Sequence, residues 1–84
     1  MKYKIFLSDS IEVLKNEELL GEANDYKEAS AVIELKLQEK GLYQEPYWRF
    51  LMDSTATFID FGSWSKFIAI VPPISMAEIV GEDE

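Results

Sequence analysis

Asp53 and Asp60 are the acids set among the aromatic and β-branched residues of 47–71, and a carboxylate in such surroundings is a candidate general acid or base. The chain has no histidine and no cysteine. A Ser-His-Asp triad, a Cys-His pair and the usual zinc ligands are therefore unavailable, and proton transfer would fall to carboxylates, lysine or tyrosine. Asp53 precedes Ser54, a place where aspartate bonds its own backbone in a turn. Asp60 has Arg49 and Lys66 as candidate ion-pair partners. A catalytic Asp60 would need a concave pocket, a raised pKa and a second acid in reach. Gly21, Gly41, Gly62 and Gly81 stand too far apart for a phosphate loop, and no alternating Asp/Asn run offers a calcium loop. These residue types predict a protein that is not an enzyme and uses no cofactor and no metal.

Recognition is the other chemistry on offer. Tyr47, Trp48, Phe50, Phe58 and Phe61 have the type and strand setting to stack on nucleic-acid bases, but such sites need a basic groove, and only Arg49 and Lys66 lie nearby. Eight basic residues against sixteen acidic ones leave a net charge of −8. Between positions 9 and 45, ten acids face four lysines. This field repels phosphate backbones and argues against direct nucleic-acid binding. Solubility alone accounts for an acidic surface. The sharper alternative is that Glu17, Glu18, Glu22, Glu28 and Glu34 line one negative face that imitates nucleic acid and blocks the basic groove of another protein.

The elements that must position these residues begin with a strand at 2–7, where Tyr3, Ile5 and Leu7 alternate. Residues 9–22 carry conflicting signals. Asp9 with Glu12 imitates a helix cap, whereas Asn16 suits a turn between short strands at 11–14 and 18–22, and the hairpin is the preferred form. Asp25 with Glu28 forms a capping box for a helix at 26–40, with Ala29, Val32, Ile33 and Leu37 on its packed face. Gly41 ends it, placing Leu42 against Leu37. Three antiparallel strands follow, at 47–52, 55–61 and 64–71, broken at Asp53-Ser54 and Gly62-Ser63.

With two-residue turns, Trp48 lies opposite Ile59, Phe61 opposite Trp64 and Thr57 opposite Ile68. One sheet face then carries Trp48, Phe50, Ile59, Phe61, Trp64, Ile68 and Ile70, and the other Tyr47, Arg49, Leu51, Phe58, Asp60, Ser65, Phe67 and Val71. Pro72-Pro73 ends the last strand. Ser75 and Glu78 cap a short helix at 76–80, and 81–84 forms a frayed acidic end.

The run Phe58-Ile59-Asp60-Phe61-Gly62-Ser63-Trp64-Ser65-Lys66-Phe67 and the upstream Glu22-Ala23-Asn24-Asp25-Tyr26-Lys27-Glu28-Ala29 resemble short accessory proteins encoded by phages and mobile elements of Gram-positive bacteria. The resemblance spans about half the chain and implies a host-cytoplasmic accessory protein, from a class that includes regulators and inhibitors of host defence. It assigns a role to no residue.

At 84 residues the chain is expected to form one domain. Without cysteine it suits a reducing compartment, and its longest apolar run, Phe67-Ile68-Ala69-Ile70-Val71, falls far short of the roughly 18 residues of a membrane span. A soluble, cytoplasmic protein is expected. The fold predicted is α+β, a mainly antiparallel sheet of about four strands with one helix on its more apolar face. The function predicted is non-enzymatic protein binding through Tyr47, Arg49, Phe58, Asp60 and Phe67, with homodimerisation as its simplest form.

Overall fold

Asp25 opens the first helix as its sequence requires. In the computed structural model, which describes residues 2–42, 48–63 and 65–80, the Glu28 amide donates to Asp25 Oδ1 at 2.9 Å. Glu28 Oε1 accepts from the Asn24 amide at 2.8 Å. The two bonds satisfy donors that a helix start otherwise leaves open. Helix α1 runs Tyr26–Glu39, and at its far end Gly41 takes φ 71°. That left-handed turn lets the Gly41 amide donate to Gln38 O at 3.1 Å and the Leu42 amide to Leu37 O at 2.8 Å, the paired bonds of a Schellman stop. Ala29, Ile33 and Leu37 recur every fourth residue and are fully buried. Burying the Ile33 and Leu37 side chains contributes roughly 1.5–3 kcal/mol each.

Five strands form the sheet: β1 Tyr3–Ser8, β2 Glu18–Ala23, β3 Arg49–Met52, β4 Thr57–Asp60 and β5 Phe67–Val71. Their order is β2-β1-β5-β4-β3, and every neighbouring pair is antiparallel. The sheet thus has five strands rather than about four. The fifth is β2, the strand expected at 18–22, which joins β1 across a bulge: Ile5 pairs with Gly21 but Phe6 with Leu19, leaving Leu20 as the extra residue. Residues 11–14 form no strand, so the expected hairpin of 11–14 with 18–22 gives way to a pairing of β2 with β1. Gly21 lies under α1, where a Cβ would meet Val32 Cγ1 at 3.0 Å. Glycine is what lets helix and bulge approach this closely.

Both predicted turns are wider than two residues. Asp53 Oδ1 accepts from the Ser54 amide at 2.6 Å, and the Asp53 amide donates to Ala56 O at 3.1 Å, closing a turn over 53–56. Ser63 Oγ likewise accepts from the Ser65 and Lys66 amides. The register therefore moves by two residues. Phe50, not Trp48, faces Ile59, and Thr57 faces Ile70 instead of Ile68. A shift of two keeps the described strand side chains on their expected faces. The pairing expected of Phe61 with Trp64 involves a residue outside the described ones.

One face of the sheet contributes Ile5, Leu7, Ile59, Ile68 and Ile70 to the core beneath α1. Helix α2, Met76–Val80, closes one end of this core. The Glu78 amide donates to Ser75 Oγ at 3.2 Å, and the Glu78 carboxylate accepts from the Tyr26 amide at 3.1 Å and the Tyr3 hydroxyl at 3.3 Å. One side chain thus ties α2 to both α1 and β1. Among the described residues no helix is long and apolar enough to cross a membrane.

Burial, and then the negative charge of Glu34, push the Tyr26 phenol from an ordinary value of 10 up to about 12. Burial first and Glu78 second raise that of Tyr3. The folded state therefore holds both protons more tightly than the unfolded chain does. This stability is fully present below the unfolded value near 10 and is lost as pH rises through the folded value. Urea unfolding across about pH 9–12 will show stability falling, and Tyr26→Phe will remove most of that fall.

Candidate functional site

The second face of the sheet carries the residues expected to bind a partner, and it is only partly open. Register places Arg49 and Leu51 of β3, Phe58 and Asp60 of β4, and Phe67, Ala69 and Val71 of β5 on this side. Here Phe58, Ala56 and Ala69 are buried as a second, smaller core, with Phe6, Ile11 and Val71 packed against it. Phe58 is 1% exposed, so it is the buried floor of this face rather than an open surface residue. The sequence could not show this, because the residues packed over this cluster, Phe6, Ile11 and Val71, come from distant parts of the chain.

Ile11 arrives on the 9–17 loop, whose ends are held together as in an Ω-loop. The Asp9 amide donates to Lys15 O at 2.9 Å. The buried Ser8 hydroxyl accepts from the Ser10 and Lys15 amides and reaches the carbonyls of Ser10 and Val13 at 3.0 and 3.2 Å. Lys66 Nζ and Asn16 Nδ2 both donate to the Asp9 carboxylate, and these bonds hold its carboxyl below the ordinary range. Asn16 sits at φ 50°, a left-handed conformation that asparagine tolerates.

Between Ile11 and the edge strand β3 lies a groove of about 260 Å³ lined by Ile11, Arg49, Phe50, Leu51 and Asp60. Arg49 and Asp60 face each other in register, and the Arg49 guanidinium donates to Asp60 Oδ2 at 3.4 Å. Asp60 Oδ1 accepts from the Gly62 amide at 3.0 Å. Both Asp60 oxygens are engaged, while the Arg49 side chain is 71% exposed and retains donors for another group. Leu51 and Met52 add exposed apolar surface beside the groove.

Of the residues proposed from sequence, Arg49 and Asp60 meet in this groove. Phe67 is half-buried on the same face, at the start of β5 beside Ser8. Tyr47 lies outside the described residues. Ile11 and Leu51 complete the groove, and Ile11 was legible only as an apolar residue in an ambiguous segment.

The acids expected to line one face divide instead. Glu22 is in register with Lys4 on the partly open side, whereas Glu28 and Glu34 belong to α1, on the opposite side. Glu28 serves the helix cap, and Glu18 accepts from Lys40 Nζ at 2.9 Å. Glu17 is exposed at the end of the 9–17 loop. Among the described residues no three acids gather as a metal-binding cluster.

Comparison with protein-family models, with characterised proteins and with solved structures returns no match. The function must be argued from the groove.

Proposed function

We propose that this chain is a non-enzymatic protein-binding module that takes a partner segment into the groove between Ile11 and β3. The observation that carries this reading is the composition of the groove. Two apolar side chains, Ile11 and Leu51, flank a single charged pair, Arg49 on the short edge strand and Asp60 beside it on β4, whereas the Phe50 ring turns to the other face and packs on Tyr26. Such a centre, apolar with one orienting polar group, is the usual anatomy of an interface core. Homodimerisation through this face is the simplest form, and an accessory role in a host cytoplasm is the setting that the sequence suggests.

The acidic-mimic alternative has less support, because its five carboxylates are split between two sides and two of them already serve internal contacts.

Leu51 provides the test. It is 44% exposed on the edge strand, and Leu35 is 54% exposed on α1, away from the groove. Leu51→Asp will weaken the wild-type self-association or partner capture by at least ~30-fold, the scale of one lost central contact. Leu35→Asp will leave it within about twofold. Sedimentation over a concentration series reads the dimer, and quantitative capture with each variant reads another partner. Equal losses from both substitutions would reject the groove as the contact surface.

A further inference from the structure

The groove has an inner wall that is not part of the sheet. Ile11 lines it and at the same time packs on the Ala56–Phe58–Ala69 floor, yet Ile11 sits in a segment without regular structure. Among the described residues, the hydrogen bonds made by 10–14 close on Ser8 or within the segment. The neck is fixed by Ser8, Asp9, Lys15, Asn16 and Lys66. The excursion itself meets the floor through one half-buried isoleucine, while its neighbours Val13 and Leu14 are exposed. A fixed neck, and an excursion tied outside itself only through Ser8 and Ile11, describe a strap that can lift without unfolding the sheet.

From this we infer that residues 10–14 form a displaceable strap on a fixed neck, and that Ile11 fills an apolar subsite which a branched aliphatic side chain of the partner takes over on binding. The inference rests on the groove being the partner site and adds how it is gated and what it accepts. The occupant is identified by the side chain now in place: a subsite shaped around isoleucine is matched by isoleucine, leucine or valine from elsewhere, and poorly by a charged or aromatic group. Displacement would expose Phe58 and Ala69 at the moment the partner covers them. The apolar floor then stays away from water in both states. The affinity of the closed protein is reduced by the fraction of time that the strap is down.

The absence of cysteine allows a direct test, since one introduced thiol is the only one present. Ala69 is 0% exposed on the floor, and Ala29 is 0% exposed in the core under α1. In native buffer, Ala69→Cys will react with a disulfide reagent at least ~10-fold faster than Ala29→Cys, because local opening is more frequent than exposure of the main core. Adding Ile11→Ala to the Ala69→Cys protein will accelerate labelling at least ~10-fold further. In that double variant N-acetyl-isoleucinamide will slow labelling, and N-acetyl-glycinamide will not.

Equal labelling at the two cysteines, with or without Ile11, would overturn the strap. Equal effects of the two amides would overturn the aliphatic subsite. The labelling involves no partner, so a negative Leu51 result leaves strap opening measurable, and failure of the strap leaves the Leu51 result standing.

Discussion

Phe58→Ala will lower the unfolding free energy by about 3–5 kcal/mol, the range for truncating a fully buried aromatic ring. The prediction decides what kind of sheet this is. In a sheet with one wet face, Phe58 would point to water opposite α1, and its truncation would be nearly neutral. Here it is 1% exposed in a cluster on which Phe6, Ile11 and Val71 pack, so its loss opens a cavity in a second core. Its cross-strand neighbour Leu51 makes the control, being paired with it in register yet largely open. Leu51→Ala will cost less than about 1 kcal/mol. Urea denaturation with unchanged m-values measures both, and a Phe58→Ala cost under about 1 kcal/mol would mean that this side holds no second core.

The sequence signals that survived are those written in adjacent residues. Asp25 with Glu28, Gly41 with Leu42, and Ser75 with Glu78 each specify a helix end through local bonds, and each end lies where those residues place it. The faces of β3, β4 and β5 were also legible. The widened turns moved the register by two residues, and a strand repeats its sides every two. The widening itself was not. Neither Asp53-Ser54 nor Gly62-Ser63 is an Asn-Gly type pair that enforces a two-residue turn, and the side chains of Asp53, Asp60 and Ser63 instead gather local amides into longer loops.

What lay beyond reach depended on distant contacts. Strand β2 was expected at 18–22, but its pairing with β1 was obscured, because its bulge at Leu20 breaks the alternation just where Gly21 must clear Val32. Half of the site was visible, since Arg49 and Asp60 are typed and spaced to pair across a hairpin. The other half comes from a loop that closes on Ser8, and nothing near Ile11 in sequence announces that it crosses to Phe58. The same gap explains why Phe58 was expected to meet a partner: an aromatic residue beside Asp60 looks exposed until its cover is known.

Thr57 joins the sheet to the segment that leads into α2, and its hydroxyl is the second place where one atom carries large consequences. Fully buried on β4, Thr57 Oγ1 accepts from the Ile74 amide at 2.8 Å and reaches Ile74 O at 3.1 Å. Ile74 belongs to the main core, so without the hydroxyl its amide and carbonyl would lack these bonds in an apolar setting. Thr57→Val keeps the shape and removes only the oxygen's chemistry. Two stranded groups at about 1–3 kcal/mol each give an expected loss of roughly 2–6 kcal/mol. Thr57→Ser keeps the oxygen and will recover most of that loss, less the smaller cost of one buried methyl group, about 1 kcal/mol. Chemical denaturation ranks the three proteins. A valine variant as stable as the serine one would show that water or backbone movement satisfies Ile74. In that event Glu78, through Tyr3 and Tyr26, would be left as the polar tie that holds α2 in place.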